Sequence, residues 1–133
     1  MTENAAPRQL PVRLSSYIDE LLSSWISRHA AFYAVPPLVM LRHCLPDVPS
    51  LRAADLHLGS DQEIRLASMF AIEPAVLRRM TFSNVPKSSH RLIAARPAQT
   101  CTCCSPGGAE PAPILRSHLL GWRITCPHCG ALL

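Results

Sequence analysis

Two Cys-x2-Cys pairs near the C-terminal end constrain the fold of this chain more than any other feature. The pairs are Cys101/Cys104 and Cys126/Cys129, and 21 residues separate Cys104 from Cys126. Each pair can place two thiolates on one ion, and two pairs complete the tetrahedron that zinc prefers. The separation is close to that of zinc ribbons. We therefore expect one structural Zn²⁺ held by these four cysteines, with strands formed by residues 114–125 stacking on the site.

Neighbouring residues leave alternatives open for this ligand set. Cys103 lies inside the first pair, His128 lies inside the second, and His118 lies between the pairs. Replacing Cys129 by His128 would give a Cys-x-His spacing, which fits poorly, so the regular spacing favours the four cysteines and leaves Cys103 as a spare thiol. Gly130 follows the second pair, where a knuckle commonly needs a positive φ.

The same residues argue against enzyme activity. A catalytic zinc keeps one coordination position open for water and needs a nearby base, often a glutamate. Four thiolates would close the site, and Glu110, the only carboxylate between the pairs, lies in a Pro/Gly-rich stretch. Redox chemistry at Cys103 would call for a thioredoxin-like βαβ pattern around it, which the sequence lacks. We expect no catalytic residues.

The composition is that of a packed globular protein. Of the 133 residues, 48% are hydrophobic and 17% are charged, and no run approaches the roughly 20 apolar residues of a membrane helix. The N-terminus lacks a signal-peptide pattern, so we expect a cytoplasmic protein with cysteines that bind metal rather than form disulfides. The net charge is +4 and twelve of thirteen basic residues are arginines, which favours weak contacts with DNA or RNA.

The first half of the chain has helical periodicity. Apolar residues between 18 and 33 predict an amphipathic helix of about four turns, ended by Pro36 and Pro37, and a shorter helix follows. We expect Trp25 and Cys44 in the core. The apolar face of the long helix comprises Ile18, Leu21, Leu22, Trp25, Ile26, His29, Phe32 and Tyr33.

Two more helices are predicted before position 80. Ser60 and Glu63 have the spacing of a capping box at a helix start, and Pro74 suits the first position of the next helix. Such a pair is the skeleton of a helix-turn-helix, with Arg78 and Arg79 outward where they could meet phosphates. Small helical bundles contain similar pairs, so packing or protein binding is the competing interpretation.

Proline usage suggests a domain boundary between Ser83 and Ala98. The stretch from Pro86 to Pro113 holds five of the thirteen prolines and little apolar periodicity. We expect a helical, helix-turn-helix-like domain over residues 1–85 and a zinc-ribbon module over residues 98–133. The predicted fold is therefore mainly α with a small zinc ribbon.

Short motifs along most of the chain resemble a known family. Residues 10–13 followed by 20–28 resemble a proline-led strand and an E-S-L-x-S-W-L-x-R helix, while Thr81 and Phe82 resemble the M-T-L step that closes the last helix. Residues 121–127 resemble a W-R stretch that leads to Cys-Pro. Together they resemble the TniQ family, the adaptor proteins of Tn7-like transposons. Family members usually carry histidine where this chain has Cys129.

The resemblance implies a non-enzymatic adaptor in DNA transposition. It would link a target-recognition complex, in some members a CRISPR effector, to the AAA+ ATPase regulator of the transposase. By the same analogy Arg28, Arg78 and Arg79 would contact protein or nucleic acid, the plain alternative for Arg28 being an ordinary surface charge. The competing function is a stand-alone, zinc-containing helix-turn-helix DNA-binding regulator.

Overall fold

The computed structural model describes residues 9–97, 99, 113–122, 124–126 and 129–132. Five α-helices form the body, and they are α1 Leu22–Phe32, α2 Pro37–Cys44, α3 Leu51–Leu56, α4 Ser60–Phe70 and α5 Pro74–Arg79. Two 3₁₀ helices follow at Lys87–Leu92 and Arg116–Leu119. Across these ranges β pairing is limited to isolated bridges. The prediction of a mainly helical fold is confirmed, and no helix in the described part is long and apolar enough to cross a membrane.

Helix α1 is shorter than its sequence pattern predicts. It begins at Leu22 because Asp19 has a left-handed backbone (φ 66°), which interrupts any helix running from Ile18. Ile18 is 77% exposed and Phe32 also faces solvent, so both ends of the predicted apolar face are wrong. The helix ends before Ala34, which has a positive φ of 57°, and Pro37 opens α2 at its first position as predicted.

Trp25 stands at the centre of the main core. Its indole lies 4.5 Å from the Phe70 ring and 4.8 Å from the His29 imidazole, measured between ring centroids. The polar edge is satisfied as well, since indole Nε1 donates a 2.9 Å hydrogen bond to the Leu14 carbonyl. Cys44 is fully buried in the same core, and burial raises the pKa of its thiol to about 11. Both core predictions are confirmed.

His29 is a buried bridge between α1 and the extended segment before it. Its Nε2 accepts a 2.8 Å hydrogen bond from the Leu14 amide, so Nδ1 carries the proton and donates to the Trp25 carbonyl at 2.9 Å. Burial lowers the pKa of this imidazole, which favours the neutral form that the two bonds require. The segment that contains Leu14 is thereby held over the core.

Helix α4 begins differently from the prediction. Its N-cap is Gly59, whose amide donates to the Gln62 side chain at 2.9 Å, and Ser60 is the first helical residue. The predicted capping box of Ser60 with Glu63 is wrong because Glu63 turns inward and is buried. Helix α3, which the sequence pattern did not predict, has an ordinary serine cap in Ser50.

The C-terminal segment packs on the helical body through a second apolar cluster. Leu21, Phe82, Ile93 and Leu119 form its buried centre. The predicted strands over 114–125 are wrong in the described residues, where a 3₁₀ helix occupies Arg116–Leu119 and pairing is limited to single bridges.

Candidate functional site

The second cysteine pair lies in a tight turn. The Cys126 amide donates to the Ala131 carbonyl at 2.8 Å, and the Gly130 amide donates back to the Cys126 carbonyl at 2.9 Å. A bridge between Thr125 and Leu132 closes the turn from outside. Gly130 has φ +76°, as its place after the pair predicted, and a side chain there would be strained. Cys126 is buried, whereas Cys129 is exposed.

This turn fits one half of a zinc site. Two thiolates spaced Cys-x2-Cys around a turn that ends in a left-handed glycine are a suitable donor pair for Zn²⁺. Cys101, Cys104, Cys103 and His128 lie outside the described residues, so the predicted ligand set is neither assembled nor refuted. Within the described ranges no group of three potential ligands is clustered.

His118 is buried, and its hydrogen bonding disfavours it as a ligand. The Leu115 amide donates to its Nδ1 at 3.2 Å, which places the ring proton on Nε2 in the neutral form. A protonated Nε2 has no lone pair to offer a metal. Trp122 is half exposed and lines a groove with Asn84 and Leu120.

Arg78 and Arg79, expected to behave alike, occupy different environments on α5. Arg78 donates from Nε and Nη2 to the buried Glu63 carboxylate, at distances of 2.8 to 3.2 Å, although its side chain remains 57% exposed. The carboxylate hydrogen bonds raise the pKa of Arg78. The Arg79 side chain is exposed and makes no hydrogen bond or ion pair within the described part of the chain.

Arg28 is a structural residue rather than an ordinary surface charge. It donates from Nε and Nη2 to the buried Glu20 carboxylate at 2.8 and 2.7 Å, and its side chain is 13% exposed. Its guanidinium also lies 4.7 Å from the Tyr17 ring centroid and bonds the Ser15 carbonyl. The Glu20 hydrogen bonds raise its pKa despite partial burial. A partner could reach only the remaining edge of this side chain.

The acidic pair Asp19 and Glu20 is the centre that sequence reasoning missed. Asp19 accepts hydrogen bonds from Arg116 Nε at 3.0 Å and from the Ser117 amide at 3.1 Å. Glu20 accepts from Ser24 Oγ at 2.9 Å, and Ser24 Oγ in turn accepts from the Ile114 amide. These bonds attach the segment leading to the second cysteine pair firmly to α1. No local sequence motif predicts the bonds to Ile114, Arg116 and Ser117, because these partners are 90 to 98 positions away in the chain.

Many arginines in the described ranges donate hydrogen bonds to backbone carbonyls and therefore stabilise the fold. These are Arg28, Arg42, Arg52, Arg65 and Arg116. The guanidinium fork suits the exposed carbonyls at helix ends and turns. The arginine-rich composition therefore overstates the charge that is available to an acidic partner.

Two open grooves flank this region. One, of about 440 Å³, lies between α1, α3 and the C-terminal segment, and the buried carboxylate of Asp55 lines it. The other, of about 430 Å³, lies between residues 16–20, α5 and Arg116. Arg79 lines this second groove, so one of the predicted contact residues borders a concave surface.

Comparison with known proteins agrees with this arrangement of a helical body and a cysteine turn. The family model TniQ matches residues 11–133, which is nearly the whole chain. No curated protein and no solved structure gives a significant match. The match spans both the helices and the second cysteine pair. The chain belongs to the TniQ family.

Proposed function

We propose that this chain is a non-enzymatic adaptor in DNA transposition. It links a target-recognition complex, which can be a CRISPR effector, to the AAA+ ATPase regulator of the transposase. The observation that carries the proposal is the match to the TniQ family over residues 11–133. Membership of a transposition-associated adaptor family supports a role in binding rather than turnover.

The described geometry supports such a role in one respect. Side chains on residues 19–24 attach residues 114–117, which precede the cysteine turn, to the helical body. An adaptor needs surfaces in fixed relation to one another, because simultaneous contacts with two partners lose affinity when their geometry is loose.

The proposed zinc is structural. Cys101, Cys104, Cys126 and Cys129 would hold one Zn²⁺, which would supply folding free energy to the C-terminal region rather than chemistry. The turn around Cys126 supports this assignment because Gly130 has the backbone that a knuckle requires.

A recruitment assay tests the adaptor function. The zinc-loaded chain, immobilised by a tag, is incubated with the AAA+ regulator in the presence of duplex DNA and a non-hydrolysable ATP analogue. We expect retention under these conditions and much weaker retention with ADP or without DNA, because the adaptor would recognise the assembled regulator. Equal retention in all conditions, or none in any, would contradict the proposal.

The second candidate function is a stand-alone DNA-binding regulator, and the exposure of Arg79 on α5 favours it. The α5 helix has six residues, which is short for reading a groove, and Arg78 is engaged by Glu63. We therefore expect duplex DNA binding in the non-specific range of about 10⁻⁴ to 10⁻⁶ M at physiological salt. Binding of one DNA sequence far more tightly than competitor DNA would instead favour the function of a stand-alone DNA-binding regulator.

A further inference from the structure

A turn just before α1 presents an aliphatic side chain to solvent. The Glu20 amide donates to the Tyr17 carbonyl at 3.1 Å, which closes a β-turn with Ile18 and Asp19 in its central positions. The positive φ of Asp19 is what a type II turn requires at the second of these. Asparagine or glycine is more usual there, so the aspartate conformation has a cost.

The surrounding contacts fix this turn in one conformation. The Asp19 carboxylate accepts from Arg116 and from the Ser117 amide, and the Glu20 carboxylate accepts from the Tyr17 amide at 3.0 Å. A rigid turn loses little conformational entropy when a partner binds. Ile18 at its tip is 77% exposed, and the neighbouring Tyr17 is 48% exposed.

The turn forms one wall of the groove of about 430 Å³ described above, which we call the turn–α5 groove. Its apolar lining comes from Tyr17, Ile18, Val76 and Met80. Arg79 lies on the opposite side, on α5. The volume admits a few side chains of a peptide segment rather than a large ligand.

Charge complementarity decides the kind of partner. The two carboxylates in the groove are committed, Asp19 to Arg116 and Glu20 to Arg28, whereas Arg79 makes no ion pair within the described part of the chain. The charge that the groove can offer a partner is therefore the single positive charge of Arg79. A nucleic-acid backbone would bring several phosphates to a groove with one available cation, and the Tyr17 ring already has a guanidinium on one face.

We infer that the turn–α5 groove is a docking site for a protein segment that places an aliphatic side chain beside a carboxylate. The aliphatic group packs on Ile18 and Tyr17, and the carboxylate pairs with Arg79. The inference rests on the proposed adaptor function for the identity of the partner, for which the AAA+ regulator is the first choice. A single groove of this size gives a weak contact, as suits a partner that must be recruited and released.

The test uses matched pairs of variants in the full, zinc-loaded chain. Ile18→Ser and Arg79→Glu alter the groove, whereas Ile64→Ser and Arg96→Glu make the same changes at exposed positions that do not line it. Retention on the assembled AAA+ regulator is measured for all four. We expect the groove variants to bind about tenfold more weakly than wild type and the control variants to bind equally well. Thermal melts confirm that each variant is folded.

A second measurement keeps the inference separate from the adaptor function. A short acidic peptide in which leucines alternate with glutamates is titrated into the chain, with a lysine-for-glutamate version as control. We expect NMR shifts at Tyr17, Ile18 and Arg79 with the acidic peptide only. If the acidic peptide causes these shifts but the chain does not bind the regulator, the docking site is supported and the adaptor proposal is contradicted. Unimpaired regulator binding by every variant, or peptide-induced shifts at other residues, would contradict the inference that the turn–α5 groove is a docking site.

Nucleic acid is the remaining occupant to be distinguished. If Arg79→Glu weakens duplex DNA binding while Ile18→Ser has no effect on the regulator or on the acidic peptide, the groove is not a peptide site. Under the inference, Ile18→Ser impairs protein binding and leaves DNA affinity unchanged.

Discussion

At the residue scale, Asp55 shows how one carboxylate can cap a helix to which it does not belong. It lies on α3, is almost fully buried, and accepts a 2.8 Å hydrogen bond from the Ser23 amide in the first turn of α1. Helix starts have unpaired amides, so an acceptor there is stabilising. Burial nevertheless raises the pKa of Asp55 to about 6, in spite of the Ser23 bonds and nearby Arg52, which lower it.

Replacing Asp55 by asparagine should flatten the pH dependence of stability. The folded-state pKa of about 6 exceeds the ordinary value of 3.8, so the folded protein holds this proton more tightly than the unfolded chain. The resulting stabilisation is fully present below 3.8 and is lost as pH rises through about 6. Asparagine retains the acceptor for the Ser23 amide but cannot ionise.

The measurement is urea unfolding of wild type and Asp55→Asn across this pH window. We expect the free energy of unfolding of wild type to fall relative to the variant by an amount on the order of 3 kcal/mol. Parallel profiles for the two proteins would show that ionisation of Asp55 carries no such penalty.

Arg78 and Arg79 provide the second residue-scale prediction. Arg78→Glu would set a second carboxylate against buried Glu63, so it should lower the melting temperature clearly, and Glu63→Gln in the same chain should restore part of the loss. Arg79→Glu should change stability by less than about 0.5 kcal/mol because its side chain is exposed. Equal losses in the two single variants would contradict the distinct environments seen here.

Arg79→Glu is consequently the cleaner probe of nucleic-acid binding. If this side chain contacts a phosphate, the variant should bind duplex DNA more weakly and flatten the salt dependence by about one phosphate contact. An unchanged salt slope would remove Arg79 from any DNA-contacting surface.

At the element scale, the fold depends on how segments without regular secondary structure are attached to α1. The segment before the helix bonds it through Leu14, and the segment before the cysteine turn bonds it through Ile114. The turn at Asp19 strengthens the second attachment, since its backbone carbonyl accepts from the Arg116 amide at 2.7 Å and its side chain accepts two further hydrogen bonds. Asp19 therefore contributes three of the hydrogen bonds that dock the C-terminal segment.

Substituting Asp19 should release that segment while leaving the core intact. Asp19→Gly relieves the positive φ but removes the carboxylate, whereas Asp19→Asn keeps an acceptor for the Ser117 amide and tolerates the same backbone. We expect glycine to lower the free energy of local opening by about 1 to 3 kcal/mol and asparagine to lower it less. Hydrogen exchange at the Ile114 and Ser117 amides measures this. Exchange as slow as in wild type in the glycine variant would show that the carboxylate is dispensable.

At the scale of the whole molecule, the relation between the helical body and the cysteine region governs how the protein should respond to metal. The body has its own core around Trp25, and the second apolar cluster joins it to residues 113–120. From residue 124 onward, the described backbone hydrogen bonds lie within the cysteine turn itself. Division into a helical domain over 1–85 and a zinc module over 98–133 remains our proposal.

Zinc content and its removal test this proposal. Purified protein should contain about one zinc per chain, Cys126→Ser should abolish stoichiometric binding, and Cys103→Ser should not. Because structural zinc contributes on the order of 10 kcal/mol to folding, a chelator should unfold the region after about Ala98 and leave α1 to α5 largely intact. Hydrogen exchange should then rise first at the Cys126 and Gly130 amides. One global transition on chelation, or zinc loss in Cys103→Ser, would contradict the proposal.

Local patterns in the sequence determined a large part of this protein. Periodicity and proline positions located α1, α2, α4 and α5 and put Trp25 and Cys44 in the core, because helix formation and burial follow from spacing that repeats over a few residues. The doubled cysteine motif located the turn that ends at Gly130, and short motifs along the chain indicated the TniQ family.

Tertiary structure alone decided the rest. The inward turn of Glu63 and the cap supplied by Asp55 depend on partners on another helix, and the attachment of residues 114–117 depends on residues 90 to 98 positions away. A charged residue looks the same in the sequence whether it meets solvent or a buried carboxylate, since only the folded chain brings the partner within hydrogen-bond distance. For that reason the sequence shows thirteen lysine and arginine residues, but only the fold determines which of them remain available to a partner.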